Sequence, residues 1–305
     1  MQFLEQLKAL SDETRLRIVT ILREYELTVN EIVSVLEMGQ SRVSRHLKIL
    51  SDAGLVISRR DGLYVHYYCP TSDNSITEHL SSEIAGEARA DDMNRCRIVL
   101  AERREKTKLF FNSIAHSWKD LKEEILGDFD INSKIATSMQ SCFYSCIADL
   151  GCGNGDLAGT LCDTGTHVIG IDYSPAMIEY ARARLSDMNN SPDFRIGDIE
   201  HLPMCDEEAD AAILSMVLHH LPDPKKSIIE ISRVVKNNGC FMLADFDRHE
   251  NRSLCDRFGD RWPGFYKEEL EQWITEAGFK IVSHELCRAQ KGLNVHLYIT
   301  KKSRR

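Results

Sequence analysis

The sequence predicts an α/β protein in two parts. The first part is small, mostly helical and ends in a β-hairpin; the second is larger and contains a doubly wound parallel sheet whose last strand is antiparallel. Three patterns predict this class: helix signals followed by an Asp61-Gly62 turn, strand-like runs alternating with helix-like runs from about residue 146, and two strand-like runs near the C-terminus with no room for a helix between them. A length of 305 residues fits about two domains.

Composition limits the class of protein. Hydrophobic residues make up 43% of the chain, which suffices for sizeable cores. No run approaches the ~20 apolar residues of a membrane span and the N-terminus lacks an apolar signal core, so we expect a cytoplasmic protein with no membrane partner. The ten cysteines include no Cys-x-x-Cys pair, and we interpret them as reduced thiols. Cys142, Cys146 and Cys152 come closest to a soft-metal trio, but buried thiols are favoured and no metal is expected.

The formal net charge of −9 is distributed unevenly. Residues 1 to 70 contain nine Lys/Arg and nine Asp/Glu, so the deficit belongs to the rest of the chain. Residues 40 to 60 contain five basic residues and one acidic residue, Asp52, which gives this stretch a net charge of +4. A basic face on a neutral domain is typical of contact with nucleic-acid phosphates.

Local signals predict the helices of the first domain. An apolar periodicity opens the chain, and Asp12 offers a cap for the next helix, DETRLRIVTILRE. Thr28 with Glu31 three positions later is a capping-box signal at the start of TVNEIVSVLE. A further helix from about Gln40 to Ala53 would be about 21 Å long, enough to lie across a major groove ~12 Å wide.

The run LVISRRDGLYVHYYC is a hairpin signal around Asp61-Gly62, and with the helices before it predicts a winged helix-turn-helix. The stretches ALSDETRLRIV, LTVNEIVSVL, SRVSRHLKILSDAGLV and the wing resemble the ArsR/SmtB family of bacterial repressors over residues 1 to 70. The resemblance implies a homodimer on a palindromic double-stranded DNA operator, with half-sites about one helical turn apart. By position, the predicted DNA contacts are Gln40, Ser41, Arg42, Ser44, Arg45 and Lys48 on the helix, and Arg59, Arg60 and Tyr64 on the wing.

The chain departs from the metal-sensing members of that family in one place. Where those members have a cysteine pair in the run ELCVCDL, this chain reads EIVSVLEM. His79 and Glu83 after the wing do not complete a ligand set at the spacing those members use. Metal is therefore disfavoured as the effector.

Residues 71 to 108 are expected to connect and dimerise the domains through one or two helices, with Ile76, Leu80, Ile84, Ala88 and Met93 on a mixed stripe. The following run, LFFNSIAHSWKDLKEEI, places aromatic residues at helical spacing. Such a helix either packs on the next domain or covers a ligand site.

Residues 109 to 305 are expected to form the second domain. Gly151, Gly153 and Gly155 follow the strand CIADLG at a spacing of two, unlike the G-x-G-x-x-G of dinucleotide loops. Asp172 ends the next strand, about twenty residues on, where a carboxylate can accept hydrogen bonds from a ribose. Glycine is needed in such a loop because a Cβ would occupy ligand volume.

The series ADLGCGNGDL, GIDYSPAMI, GDIEHLP, AAILSMVLHHL and EISRVVKNNGCFMLADF resembles the successive motifs of class I S-adenosylmethionine-dependent methyltransferases. The resemblance implies a seven-stranded, Rossmann-like sheet that binds S-adenosyl-L-methionine or S-adenosyl-L-homocysteine. It places Asp149 and Gly151 along the methionyl part, Asp172 on the ribose, Tyr173 and Met177 beside the adenine, and Asp198 on the adenine amino group. The full set of implied binding residues is Asp149, Gly151, Cys152, Gly153, Gly155, Asp172, Tyr173, Met177, Asp198, Ile199 and Ser215.

Two functions remain open at this level. The chain is either a repressor whose methyltransferase-like domain senses its ligand, or a small-molecule methyltransferase with a DNA-reading module. His219, His220 and His249 are candidates for a catalytic base, and the residues expected to border the acceptor side are His249, Arg252, Asp260, Arg261 and Trp262. The two-domain design resembles S-adenosylhomocysteine-responsive regulators of the methionine cycle, the SahR type, and this favours sensing.

Overall fold

The computed structural model of this chain describes residues 2–61, 64–70, 87–118, 121, 124, 127, 129–139, 143–162, 166–188, 190–251, 261–290 and 292–303. The chain divides into two compact units, Met1–Glu105 and Lys106–Arg305. In the described part of the chain, no helix is long and apolar enough to cross a membrane.

The first unit begins with four short helices. Their boundaries follow the predicted caps: Asp12 accepts a hydrogen bond from the Arg15 N–H at 3.1 Å, and the Thr28 N–H donates to Glu31 Oε2 at 2.7 Å while the Glu31 N–H donates to Thr28 Oγ1 at 3.4 Å. Each such cap stabilises a helix start by about 1 kcal/mol. The helices are α1 (Gln2–Leu10), α2 (Glu13–Glu24), α3 (Val29–Leu36) and α4 (Gln40–Asp52).

A small antiparallel sheet follows, and it has one strand more than the predicted hairpin. Its strands are β1 (Leu27–Thr28), β2 (Ile57–Asp61) and β3 (Tyr64–Tyr68), in the order β1-β3-β2. Leu27 pairs with Tyr67, which ties the start of α3 to the wing. A strand of two residues is too short to show a periodicity in the sequence, so only the pairing reveals it.

One long helix, α5 (Glu87–Ile114), extends past residue 108 and past the boundary between the units. In the first unit, buried Asp92 accepts two hydrogen bonds from Arg17 of α2, at 2.6 and 2.7 Å. Arg103 also forms an ion pair with Glu31 of α3. Breaking a buried bidentate pair by removing one partner typically costs about 3–5 kcal/mol, so these contacts hold α5 on the helix-turn-helix.

The second unit is built on a seven-stranded sheet in the order β6-β5-β4-β7-β8-β10-β9. The first five strands in this order pair in parallel, and β10 is antiparallel to both of its neighbours, as the sequence predicted. The strands are β4 (Cys146–Leu150), β5 (His167–Asp172), β6 (Asp193–Ile196), β7 (Ala209–Ser215), β8 (Val235–Phe246), β9 (Phe279–Arg288) and β10 (Asn294–Lys302).

Helices cover both faces of this sheet, and each face has its own hydrophobic cluster. The helices of the second unit are α6 (Ile131–Met139), α7 (Asp156–Cys162), α8 (Pro175–Arg184), α9 (Pro224–Val234) and α10 (Lys267–Glu276), and α5 ends within it. The chain runs outward from β4 through β5 to β6 and then returns to β7 beside β4. In open α/β sheets, ligands bind at the carboxyl ends of the strands where the order reverses, here beside β4 and β7.

Candidate functional site

The glycine loop after β4 lies against the end of β5. The N–H groups of Gly151 and Cys152 donate to the Ile171 carbonyl at 2.7 and 3.0 Å. Gly151, Gly153 and Gly155 have φ values of +71°, +50° and +76°, in the left-handed region that glycine tolerates without a Cβ penalty. The loop therefore takes a conformation that its glycines make accessible.

The three glycines serve different purposes. A Cβ on Gly151 would collide with the Val217 side chain, and one on Gly155 would meet Phe194 at 3.0 Å, so these two positions are closed by protein atoms. Among the described residues, a Cβ on Gly153 would meet only Trp118 Nε1, at 3.7 Å. Gly153 is thus the member of the loop beside which a ligand has space.

Asp172 lies at the carboxyl end of β5 and is held by backbone donors. Its Oδ2 accepts from the Gly153 N–H at 2.9 Å and its Oδ1 from the Ser174 N–H at 2.8 Å. Burial raises the pKa of this carboxyl, and the N–H groups of Ser174, Gly153 and Tyr173 partly oppose that shift. Each carboxylate oxygen can accept a further hydrogen bond, as the two hydroxyls of a ribose require.

The residues expected around the adenine differ in exposure. Tyr173 is 37% exposed, and the Lys108 ammonium lies 5.5 Å from its ring centroid. Met177, expected beside the adenine, is 1% exposed in the first turn of α8. Asp198 Oδ1 accepts from the Glu200 N–H at 2.9 Å, and Ile199 is buried next to it.

The residues expected on the methionyl side lie where β4 and β7 end. Asp149 is 3% exposed. The Ser215 hydroxyl is buried at the end of β7 and has no hydrogen-bond partner among the described residues. A buried hydroxyl of this kind fits a polar ligand group that would supply its partner. Burial, with the carboxylates of Asp172 and Asp149, keeps the pKa of the Cys152 thiol above its usual value, which favours the protonated thiol.

A buried histidine–carboxylate pair lies after β7. His219 Nδ1 is 2.7 Å from Asp245 Oδ1, and both side chains are almost completely buried. Asp245 also accepts from the N–H groups of Phe246 at 2.8 Å and of His219 at 3.3 Å. In the tautomer with the proton on Nδ1, the His219 ring donates to this carboxylate, which already accepts from two backbone N–H groups.

An aromatic row extends from this pair to the glycine loop. Successive ring centroids are 5.7, 4.9, 4.0, 5.0 and 5.5 Å apart. The row consists of Trp118, Phe111, His220, His219, Phe246 and His249. The first ring, Trp118, lies beside Gly153 of the glycine loop, and His219 of the histidine–carboxylate pair is the fourth ring.

The histidine at the far end of the row is held neutral. Burial lowers the pKa of His249 to about 4, and nearby His219 and Arg248 add to the shift. Its Nδ1 accepts from the Asn251 N–H at 3.2 Å. The backbone of Arg261 and Trp262 also lies against His219. The N–H groups of these two residues donate to the His219 carbonyl at 2.9 and 3.0 Å. Arg252 and Asp260, also expected here, lie outside the described residues.

The predicted DNA-reading residues of α4 share one surface. Val43, Leu47 and Leu50 are buried, as the periodicity predicted. The candidate contacts Gln40, Ser41, Arg42, Ser44, Arg45 and Lys48 are all exposed. This arrangement turns polar and basic groups outward along a helix of 13 residues.

The wing differs from the expectation of a basic tip in one respect. Arg59 lies with its guanidinium 3.0 Å from Glu26 Oε1, with only 15% of its side chain exposed. The Glu26 carboxylate is thus a counter-charge beside a side chain that is predicted to contact DNA. The backbones of Arg60 and Tyr64 lie in β2 and β3, and their side chains are outside the described part of the structure.

Sequence reasoning missed some residues that the fold brings to this site. Asp245 is 26 positions from His219 and lies in a strand read only as apolar. Asn112 of α5 accepts a hydrogen bond from the Ser174 hydroxyl at 2.6 Å, next to Asp172. A polar residue one position before the end of β8 was the one available signal for Asp245, since strand ends supply ligand contacts in this class of sheet.

Comparison with known families matches both units. The family described as "Bacterial regulatory protein, arsR family" matches residues 12–58, and the family described as "Methyltransferase domain" matches residues 148–243. A demethylmenaquinone methyltransferase of Renibacterium salmoninarum is 32% identical over 45% of this chain and 68% of its own length. A ubiquinone biosynthesis O-methyltransferase of Alkalilimnicola ehrlichii is 28% identical over 60% of this chain and 79% of its own length.

Solved structures match the fold of the second unit. A chain from a complex containing the Haloferax volcanii Trm112 methyltransferase activator has a TM-score of 0.53 at 21% identity, over 64% of this chain and 98% of that one. The [4+2]-cyclase SpnF has a TM-score of 0.50 at 19% identity, over 57% of this chain and 80% of that one. A cyclase among these neighbours illustrates that the fold alone does not determine the reaction. The chain belongs to the methyltransferase family, with the fold that binds S-adenosylmethionine or S-adenosylhomocysteine, and carries an arsR-type DNA-binding module fused before it.

Proposed function

We propose that this chain is a cytoplasmic transcriptional repressor whose methyltransferase unit binds S-adenosylhomocysteine or S-adenosylmethionine as an effector and so controls genes of the methionine cycle. It acts as a homodimer on a palindromic operator. The observation that carries the proposal is that α5 supplies residues to both units. Asp92 and Arg103 of α5 pair with the helix-turn-helix, and Asn112 of the same helix bonds Ser174 beside Asp172.

The effector contacts follow the site described above. Asp172 binds the ribose hydroxyls, Gly153 leaves room for close approach, and Ser215 bonds the methionyl part, with Asp149 next to it. Tyr173, Met177, Asp198 and Ile199 enclose the adenine. A ligand that changes the position of α5 has a covalent route to the DNA-reading unit, and a coupling of about 1–3 kcal/mol, or about 5- to 150-fold in DNA affinity, is typical of such systems.

A titration of DNA binding tests this proposal. The full chain is titrated onto duplexes selected by the protein from a random pool, with S-adenosylmethionine and S-adenosylhomocysteine added separately. We expect at least one ligand to change the affinity at least 5-fold. In Asp172→Ala, DNA binding should persist while the ligand response disappears, and Asp187→Ala, which removes an exposed carboxylate of the same unit, should respond like wild type. Equal DNA affinity with and without either ligand would sink the sensor function.

A second candidate is an active methyltransferase that carries a DNA-binding module. The His219–Asp245 pair favours it, because a regulator needs no oriented imidazole beside its effector. The methyltransferase names of the two relatives above agree with this alternative. Turnover of S-adenosylmethionine together with unchanged DNA affinity would select it over sensing.

A further inference from the structure

We propose that the ion pair between Arg103 of α5 and Glu31 of α3 is the contact through which the effector regulates DNA binding. This inference rests on the proposed function and adds the place where regulation acts. It makes Arg103 a positioning residue, which acts on DNA binding through α3.

The packing of α5 on the first unit leaves its register to polar contacts. Cys96 is fully buried in the hydrophobic cluster of this unit, and Val99 and Leu100 are partly buried against it. These side chains form a short apolar stripe, and apolar contact is not directional. Charge-assisted hydrogen bonds have defined distances and angles, so they fix where α5 lies along α3.

Two arginines of α5 hold α3, one near each of its ends. Near the start of α3, Arg103 Nε and Nη2 donate to the two carboxylate oxygens of Glu31. Near the other end, Arg95 Nε donates at 2.6 Å to the Val35 carbonyl, one of the last carbonyls of α3, which lack a partner within the helix. The two arginines lie about 12 Å apart along α5, which matches the length of α3, about 12 Å. A shift of α5 therefore acts on the whole of α3.

Glu31 connects α5 to the capping box of α3. Its Oε2 accepts from the Thr28 N–H at 2.7 Å and from the Thr28 hydroxyl at 2.8 Å, while Arg103 binds both of its oxygens. Thr28 also belongs to β1 and pairs there with His66 of the wing strand β3. The side chains of Arg103 and Glu31 are only 11% and 18% exposed, so salt screens the pair little. A displacement of Arg103 thus reaches the start of α3 and the wing through one carboxylate.

The helix α3 in turn packs on α4, which carries the predicted DNA contacts. The buried side chains of both helices belong to one hydrophobic cluster: Ile32, Val35 and Leu36 from α3, and Val43, Leu47 and Leu50 from α4. Packed helices respond to shifts of about 1–2 Å by moving between discrete arrangements. An effector that binds one position of α5 more tightly than another therefore favours one position of α4.

A separate pair keeps α5 in place when this contact is removed. Asp92 accepts two hydrogen bonds from Arg17, which joins α5 to α2 and not to α3. Variants at Arg103 and Glu31 leave that pair intact, so we expect them to fold.

The test measures the DNA affinity of the full chain with and without ligand, on the selected duplexes described above. The ligand is S-adenosylmethionine or S-adenosylhomocysteine, whichever has the larger effect on wild type. Arg103→Gln removes the cation, and Glu31→Gln removes the anion but keeps an amide oxygen for the capping box. Arg97→Gln, at an exposed position of the same helix, is the matched control. We expect the ligand to change the affinity by about 5-fold or more in wild type and Arg97→Gln, and by less than about 2-fold in Arg103→Gln and Glu31→Gln.

Amide hydrogen exchange gives a second readout that needs no DNA, so it also serves for a variant whose DNA binding is lost. Ligand should change the protection of residues 28 to 37 in wild type and Arg97→Gln but not in Arg103→Gln. Calorimetry should give the same ligand affinity for all four proteins, within about 3-fold. A loss of ligand binding in Arg103→Gln would place its effect on the ligand site and overturn the inference.

The outcomes separate this inference from the function beneath it. If the DNA affinity of wild type responds to neither ligand, the proposed function has failed and this inference fails with it. If wild type responds and Arg103→Gln shows the same change in DNA affinity, or the same ligand-dependent protection of α3, the proposed function stands and the inference is overturned.

Discussion

The backbone N–H of Gly153 donates a hydrogen bond to Asp172 Oδ2 at 2.9 Å, and this contact joins the glycine loop after β4 to the end of β5. The loop has a backbone conformation suited to glycine, and the carboxylate has an N–H donor on each oxygen. The two features that the sequence separates by 19 positions are therefore one unit in the fold. A ligand that bonds Asp172 is brought at the same time to Gly153, the member of this glycine loop with space beside it among the described residues.

The open position at Gly153 predicts a loss of binding without a comparable loss of folding. Gly153→Ala and Gly278→Ala both place a Cβ at positive φ, +50° and +88°, and a Cβ at Gly278 meets no atom of the described residues within 4 Å. Each variant should lose about 1–2 kcal/mol of unfolding free energy from the left-handed backbone. Only Gly153→Ala should weaken S-adenosylhomocysteine binding, by 10-fold or more in calorimetry. Similar affinities in the two variants would contradict the assignment of Gly153.

The low pKa of His249 predicts a stability that depends on pH. Its folded pKa of about 4 lies below the ordinary value of 6.5, because burial disfavours the imidazolium. Above pH 6.5 both states are neutral and stability is full; as the pH falls toward 4, the unfolded chain takes up a proton that the folded chain does not, so stability is lost. Allowing for partial exposure, we expect about 2 kcal/mol less unfolding free energy at pH 4 than at pH 7 from this group.

Denaturant unfolding at several pH values measures this effect. His249→Asn keeps an acceptor for the Asn251 N–H and should flatten the curve between pH 6.5 and 4. His201→Gln, at an exposed position, should leave the wild-type curve unchanged. If the unfolding free energy of His249→Asn falls as steeply between pH 6.5 and 4 as that of wild type, another group causes the pH dependence.

The exposed face of α4 predicts how DNA binding responds to salt. The double variant Arg45→Ala/Lys48→Ala removes two outward cations. If both contact phosphates, the slope of log affinity against log salt on a random-sequence duplex should become shallower by about 1.8. Lys280→Ala, which removes an exposed cation from β9, should not change the slope. Fluorescence anisotropy between about 50 and about 200 mM salt covers the useful range.

The apolar surface of α1 predicts where the proposed homodimer forms. Phe3, Leu4 and Leu7 are 60%, 57% and 39% exposed, a large apolar exposure for one short helix. Leu4→Asp should shift the protein toward monomer in sedimentation velocity, because a carboxylate would be buried without a partner. Leu286→Asp changes a leucine that is 47% exposed on β9 and should leave the oligomeric state as in wild type. A Leu4→Asp protein that sediments like wild type would place the dimer interface on another surface.

The sequence by itself determined the features that depend on neighbours a few positions away. The capping box of Thr28 and Glu31, the buried side of α4 and the alternation of strands and helices all follow from short-range periodicity and cap chemistry. The run of motifs from the glycine loop to β8 was also sufficient to predict the family and its ligand.

Tertiary structure alone decided which distant groups meet. Asp245 reaches His219 because β7 and β8 are adjacent parallel strands, and no local pattern encodes that pairing. Arg59 forms an ion pair with Glu26, and β1 forms because β3 offers it a partner. The physical reason is the same in each case: burial and hydrogen bonding between segments far apart in the chain depend on the topology of the sheet, whereas helix caps and periodicity depend on the residues next to them.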